Sequence, residues 1–230
     1  GTMPDVERVV AIAHSKGVPV TVDGCQGVVH GGIDVKKCGC DFYAFSGHKL
    51  YGPNGIGVLY GRREWLDKIP PFMGGGDMIK RVSFTGTTYA EAPLKFESGT
   101  PNYIGAIGLG KAIEYLRGFD KAELLGYERS LMEYATERLE RIEGLRIYGK
   151  AAQKCSIVSF NVEGIHNYDI GMILDKLGVA VRTGAHCADP LMEHYGVPGM
   201  CRASFAFYNT MQEAEALCKG VERAVAMLRR

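Results

Sequence analysis

Two stretches of this sequence decide its fold: VPVTVDGCQ at residues 18–26 and FYAFSGHK at residues 42–49. Each begins as an apolar run that is typical of a buried strand, and each ends in polar residues. We expect two neighbouring parallel strands, with Asp23 at the carboxyl end of one and Lys49 just after the other. Ligands of α/β proteins bind at that edge of the sheet, so these side chains mark a candidate site.

The polar residues after the two strands favour a pyridoxal-phosphate (PLP) site. Lys49 could form a Schiff base, Asp23 could keep a pyridine nitrogen protonated, and Ser46 and His48 could hold a phosphate. Taken singly, SGHK is equally typical of an ordinary surface lysine, and VDG is equally typical of any strand followed by a turn. Together, separated only by the short segment 30–40, they indicate the cofactor site.

Composition describes an ordinary globular chain: 230 residues, 46% hydrophobic and 23% charged. The net charge of +1 gives no reason to expect nucleic acid or an anionic membrane as a partner. No apolar stretch approaches the length of a membrane span, and no leader begins the sequence. Seven cysteines, an odd number, indicate free thiols in a reducing compartment, and CGC at 38–40 lacks the second cluster of a metal site. The expected location is the cytoplasm.

In the first half, the apolar pattern predicts a helix at 6–15, a strand at 56–60 that returns as a hairpin, a loop or ribbon over 74–88 and a helix at 104–117. The polar stretch FESGTPN, which contains Thr100, comes just before the last of these helices. Its hydroxyl and its proline suit a helix entrance where an anion could bind.

In the second half, strands and helices follow one another without strict alternation. The pattern predicts helices at 122–142, 169–177 and 211–228, and strands at 145–148, 156–161, 179–182 and 201–207. Such an order is typical of an α+β domain packed on a first one.

A second candidate site is RTGAHCADP at residues 182–190. Its Thr-Gly and Asp-Pro pairs are turn residues, so we expect Cys187 on a loop, where His186 and nearby arginines would favour its thiolate. A half-buried structural cysteine is the alternative. Arg202, within the apolar strand CRASFAF, is unusual, because a buried arginine needs an acidic partner and its planar fork suits a carboxylate such as that of an amino acid.

These motifs resemble the SUF-type (class II) cysteine desulfurases and selenocysteine lyases, fold-type I PLP enzymes of the class V aminotransferase group. The resemblance covers the whole chain and rests on VDGCQG, DFYAFSGHKLYGPNGIGVLYG, FESGTPN, VRTGAHCADPLM and CRASFAFYN. It implies an α/β fold: part of a PLP-transferase (aspartate-aminotransferase-like) large domain over residues 1–118. A small α+β C-terminal domain, residues 119–230, would carry the cysteine loop.

The resemblance also implies roles for the matching residues. Six would contact PLP: Lys49, Asp23 at the pyridine nitrogen, Gln26 at the ring hydroxyl, Ser46 and His48 at the phosphate, and Thr100 at the phosphate of the partner subunit in a homodimer. Lys49 would also move a proton at the substrate α-carbon. Cys187 would accept sulfur, and Arg202, with Arg182 nearby, would bind the substrate carboxylate.

The reaction implied by the family converts L-cysteine (or L-selenocysteine) to L-alanine and leaves a persulfide on Cys187. A sulfur-acceptor protein of iron–sulfur cluster assembly would then take the sulfur. Other class V chemistries, such as those of selenocysteine lyases, epimerases, aminotransferases and kynureninase-like lyases, share Lys49. They have no equal need of Cys187. A non-enzymatic interaction module, or an inactive truncated fragment, is the remaining alternative.

Two departures from the family pattern affect these expectations. Cys25 replaces the usual alanine of VDGAQ, a small-for-small change expected to be neutral. The sequence also begins within the family's large domain, so we expect the ring-stacking histidine and part of the phosphate cradle to lie outside it. This chain alone is therefore expected to bind PLP weakly or not at all and to have little desulfurase activity.

Overall fold

The computed structural model describes residues 1–32 and 34–229. They form two compact units: Asp5–Phe119, and Asp120–Arg230 together with Gly1–Pro4. Among the described residues, no helix is both long enough and apolar enough to cross a membrane.

The first unit is built on a three-stranded sheet of β1 (Thr21–Asp23), β2 (Phe42–Ser46) and β3 (Gly57–Gly61), in that order. β1 and β2 are parallel, with Asp23 opposite Ala44. β3 returns antiparallel to β2. The parallel pair and the returning strand are therefore confirmed, and β1 and β2 end at the same edge of the sheet.

Helices and a ribbon complete the first unit. The helices are α1 (Val6–His14), α2 (Gly27–His30), α3 (Val35–Cys38), α4 (Arg63–Lys68) and α5 (Tyr103–Leu116), with 3₁₀ turns at Gly47–Leu50 and Leu94–Phe96. The segment predicted as a loop or ribbon contains the antiparallel pair β4 (Ile79–Ser83) and β5 (Gly86–Tyr89).

Helix α5 begins differently from the sequence prediction. Asn102 is its N-cap, accepting the Gly105 N–H at 2.9 Å and donating from Nδ2 to the Gly55 carbonyl at 3.0 Å. Thr100 is exposed and lies two residues before this cap. The amide side chain satisfies a free N–H of the first helical turn, so the threonine hydroxyl is not needed there.

Asp41 is a buried polar centre of the first unit, beside the small core of Val10, Cys38, Cys40 and Tyr43. Its Oδ2 accepts from His14 Nε2 at 2.8 Å and from the Val20 N–H at 2.7 Å. Its Oδ1 accepts from Trp65 Nε1 at 2.9 Å. Burial alone would raise the pKa of Asp41, but these hydrogen bonds outweigh it and hold the pKa below its ordinary value of 3.8.

Replacing Asp41 by asparagine is expected to lower the free energy of unfolding by about 2–3 kcal/mol at pH 7, because an amide cannot accept from all three donors. A carboxyl with a lowered pKa stabilises the fold above its unfolded-state pKa and loses that contribution as pH falls. The difference between the two proteins should therefore shrink below about pH 4. Urea unfolding followed by fluorescence measures it, because Trp65 is the only tryptophan of the sequence. Equal midpoints at pH 7 would contradict the assignment.

The second unit contains a four-stranded antiparallel sheet in the order β6-β7-β9-β8. Its elements in chain order are α6 (Lys121–Leu139), β6 (Leu145–Tyr148), β7 (Ile157–Val162), α7 (Asn167–Lys176), β8 (Arg182–Gly184), α8 (Asp189–Tyr195), β9 (Met200–Ser204) and α9 (Met211–Leu228). Helix α8 was not predicted.

One face of this sheet forms the core of the second unit with helices α6, α7 and α9. The strands contribute Ile147, Val158, Phe160, Val162, Cys201 and Ala203 to that core. Because side chains alternate along a strand, Ser159, Arg202 and Arg182 lie on the opposite face. In register, Ser159 pairs with Arg202 and Arg202 with Arg182.

Several boundaries in the second unit differ from prediction: the helix expected at 122–142 ends at Leu139, and the strand expected at 201–207 ends at Ser204. The strand expected at 179–182 begins only at Arg182, because the Val179 N–H donates back to the Leu174 carbonyl and closes helix α7 first. Residues 1–4, which the prediction placed with 5–118, lie against the second unit instead. Thr2 bridges to Lys154, and the Cys155 N–H donates to the Gly1 carbonyl at 2.8 Å.

Candidate cofactor and thiol sites

Lys49 lies on the 3₁₀ turn that follows β2 and is half-buried. The turn is held close to the chain before β3, because the Gly47 N–H donates to the Ile56 carbonyl at 2.8 Å. A Cβ at Gly47 would lie 2.8 Å from Ile56 Cγ2 and 3.0 Å from its carbonyl oxygen. Only glycine permits this approach, so the backbone around Lys49 is fixed by the fold.

Asp23 ends the adjacent strand β1 and is exposed. The Cys25 N–H donates to its Oδ1 at 3.0 Å. This hydrogen bond and the Cys25 side chain lower the pKa of Asp23, burial opposes them, and the charge of Lys49 makes a smaller, lowering contribution. The structure thus brings an ionised carboxylate and the Lys49 amine within electrostatic reach of each other.

The segment after Asp23 is supported from within the sheet by Tyr43. Its hydroxyl donates to the Gly24 carbonyl at 3.2 Å, and a Cβ at Gly24 would lie only 1.9 Å from Tyr43 Cζ. Cys25 Sγ lies 3.6 Å from Ser46 Oγ and so links the ends of the two strands. The sequence analysis expected the replacement of the family's alanine by Cys25 to have no effect on the site. The contact could have been anticipated, because each residue lies at or just beyond the end of one of two paired parallel strands.

The other three predicted cofactor residues make fewer contacts with Asp23, Ser46 and Lys49. Gln26 and His48 are exposed on the segments that carry Asp23 and Lys49, and Thr100 is exposed before α5. Within residues 1–32 and 34–229, no hydrogen bond joins Thr100 to Asp23, Ser46 or Lys49. The structure therefore groups Asp23, Ser46 and Lys49, with Cys25 between them.

In the second unit, Arg202 and Arg182 lie side by side on β9 and β8. Arg202 Nε is buried and has no hydrogen-bond partner within residues 1–32 and 34–229. Burial, and then the charge of Arg182, lower the pKa of Arg202. No carboxylate in the described part of the chain forms an ion pair with either guanidinium. Two like charges without an acid make a binding site for an anion, and the planar fork of arginine suits a carboxylate.

Cys187 is exposed on the loop after β8, as predicted, with its Sγ 3.7 Å from Arg182 Nη2. All seven cysteines are free. Burial raises the pKa of Cys201 to about 12 and is the main cause that raises the pKa of Cys218 to about 11. These thiols remain protonated and buried, whereas the Cys187 thiol is exposed and has a cationic side chain beside it.

Comparison with known proteins gives a family and a fold. The aminotransferase class-V profile matches residues 1–217. A cysteine desulfurase of Serratia proteamaculans (strain 568) is 50% identical over 229 residues, which are 99% of this chain and 56% of that protein. The crystal structure of the cysteine desulfurase CsdA (S-sulfonic acid) from Escherichia coli superposes with a TM-score of 0.95 at 46% identity, over 99% of this chain and 56% of that one.

A more distant likeness is to the cystine C–S lyase C-DES, a variant of which has glycine covalently linked to its PLP cofactor. At 24% identity, a TM-score of 0.80 and coverage of 95% and 56%, it shows the fold alone. The CsdA likeness confirms the predicted fold class, part of a fold-type I PLP-transferase with a further α+β segment. The chain spans about half the length of these proteins, 56% in each case.

Proposed function

Because the chain belongs to the class-V aminotransferase family, we propose that it acts as a PLP-dependent cysteine desulfurase. The observation that carries this proposal is the exposed Cys187 thiol beside Arg182. Arg182 is paired in register with Arg202, which has no acidic partner in the described part of the chain. Aminotransferases and epimerases use a lysine such as Lys49 but need no thiol next to a carboxylate site. A sulfur-accepting enzyme needs both.

The residues at the end of β1 and β2 fit PLP. An ionised Asp23 can pair with a protonated pyridine nitrogen, Lys49 can bind the aldehyde, and the Ser46 hydroxyl and exposed His48 can donate to a phosphate. When bound, PLP supplies an electron sink for carbanion chemistry at the substrate α-carbon. Gln26 and Thr100 belong to the same proposed site, with Thr100 reaching a phosphate across a homodimer interface.

Each of the chain's own residues would then have a separate role in the reaction. Arg202 and Arg182 bind and orient the carboxylate of L-cysteine. Lys49 removes and returns a proton at the α-carbon. The Cys187 thiolate would attack the substrate sulfur, and the carbon–sulfur bond would break with its electron pair left on the substrate β-carbon. The β-carbon would take a proton from solvent to become the methyl group of L-alanine, and a persulfide would remain on Cys187. Because Cys187 is exposed, a sulfur-acceptor protein can reach it. We propose that this transfer serves iron–sulfur cluster assembly in the cytoplasm.

The direct experiment is to supply the chain with PLP and L-cysteine and to measure alanine and protein-bound sulfur. A peptide containing Cys187 should gain the mass of one sulfur atom, and a thiol reductant should remove it as sulfide. Alanine without a persulfide on Cys187 would favour a different PLP chemistry, and no visible absorption band with PLP would favour the interaction module.

Replacing Arg202 by methionine is expected to raise KM for L-cysteine by roughly 10- to 100-fold, because a hydrogen bond to a charged partner contributes about 1.5–3 kcal/mol. Arg146→Met is the matched control. Arg146 lies opposite Asn161 on the same face of the sheet, on strand β6, which β7 and β9 separate from β8. Steady-state alanine production gives both constants, and an Arg202→Met protein with unchanged KM would remove this residue from the substrate site.

A further inference from the structure

The Cys187 loop holds two consecutive residues in a left-handed backbone conformation. His186 has φ 57° and Cys187 has φ 58°. Residues other than glycine adopt this region infrequently, and two in succession at a proposed reactive thiol need support from their surroundings. The loop begins just after β8 and leads into α8.

The ring of His186 supplies such support. Its Nε2 lies 3.0 Å from the Met200 carbonyl oxygen, which can only accept, so Nε2 carries the proton and donates. Met200 is the first residue of β9 and pairs with Gly184 of β8. The ring therefore ties the loop back to the strand that carries Arg202.

The other ring nitrogen, Nδ1, is buried and has no hydrogen-bond partner among the described residues. Burial lowers the pKa of His186, and the charges of Arg202 and Arg182 lower it further, against the raising effect of the Met200 carbonyl. The ring is thus neutral near pH 7. The sequence analysis expected both His186 and the nearby arginines to favour the Cys187 thiolate. In the structure the positive charge next to the sulfur is that of Arg182, at 3.7 Å.

We propose that His186 is the positioning residue of the Cys187 loop: anchored on the Met200 carbonyl, its ring keeps residues 186 and 187 left-handed and holds the thiol exposed beside Arg182. The hydrogen bond between His186 and Met200 does not depend on a cofactor, whereas its role in sulfur transfer rests on the proposed desulfurase function. If that function fails, the anchor and its effect on the thiol are still measurable.

The test compares alkylation of Cys187 by iodoacetate, an anion, and by iodoacetamide, which is neutral. Both reagents need the same thiolate, so the ratio of their rates reports the guanidinium beside the sulfur and not the extent of ionisation. We expect this ratio to fall roughly 3- to 5-fold in His186→Leu, the size of one exposed charge interaction. Arg182→Met should lower it similarly.

His186→Gln should restore the ratio, because its amide nitrogen can replace Nε2 as donor to Met200. His194→Leu, on α8, is the matched control and should leave the ratio unchanged. With substrate and PLP, His186→Leu should lower kcat while KM stays near normal, since Arg202 is untouched. A merely structural role would change both constants together or neither. An unchanged alkylation ratio in a folded His186→Leu protein would overturn the proposal.

A measurement on the unaltered chain covers the case in which His186→Leu does not fold. Nitrogen-15 NMR of the histidine rings at pH 7 should show His186 neutral, with its proton on Nε2 and a bare Nδ1. A ring whose only proton is on Nδ1 would overturn the anchor whatever the variants do.

Discussion

Replacing Cys187 by alanine is expected to abolish alanine production from L-cysteine, with a loss of more than about 100-fold, because the variant has no nucleophile to take the sulfur. The cofactor residues Asp23, Ser46 and Lys49 lie in the other unit and keep their contacts. The absorption band that forms on adding PLP should therefore be the same in the variant and in the unaltered chain.

The matched control for this experiment is Cys155→Ala. Cys155 is the partly exposed cysteine of the same unit, and burial raises the pKa of its thiol. It should retain turnover and still show a persulfide on the Cys187 peptide. Normal turnover by Cys187→Ala, or persulfide found on Cys155, would show that Cys187 is not the sulfur acceptor.

Replacing Lys49 by alanine should have an effect of comparable size. Proton transfer by a positioned side chain contributes about 10²–10⁴-fold to a rate, and this variant also loses the amine that binds the PLP aldehyde. We expect turnover to fall by more than about 100-fold and the visible band to be lost. Borohydride should trap PLP on Lys49 in the unaltered chain, and digestion followed by mass spectrometry identifies the labelled peptide.

The control is Lys36→Met, because Lys36 is exposed on α3. Borohydride should still trap PLP on Lys49 in this variant. Trapping works even when binding is weak, which matters because the sequence predicts low PLP affinity for this chain. A PLP titration measures that affinity directly. A label on any other lysine would displace Lys49 from its proposed role, and tight stoichiometric binding would contradict the expected low affinity.

The parts of the fold that sequence predicts well are those set by local pattern. The apolar runs before Asp23 and Ser46 identify β1 and β2, and GPNG at 52–55 identifies the hairpin to β3. The N-terminal edge of β8 was misplaced because the hydrogen bond from Val179 to Leu174, a helix closure, competes with strand pairing. Helix α8 is only seven residues long, too short for its apolar period to be distinguished from a turn.

The contacts that sequence did not predict are non-local. Asp41 gathers donors from α1, from the chain before β1 and from α4, so no single segment indicates its role. The anchor between His186 and Met200 joins residues 14 positions apart whose proximity depends on the pairing of β8 with β9. For the same reason, sequence could name Arg182 and Arg202 but could not place them opposite each other.

The register of β8 against β9 sets the distance between two guanidinium groups that repel each other on the free chain. β8 is a three-residue strand at the edge of its sheet, so this repulsion acts on one of the least supported segments of the unit. A carboxylate bound between the two arginines, as proposed for the substrate, would offset this repulsion. Substrate binding and the ordering of β8 would then be thermodynamically linked. A substitution that loosens β8 would lower the affinity for substrate even if the substituted residue does not contact the ligand.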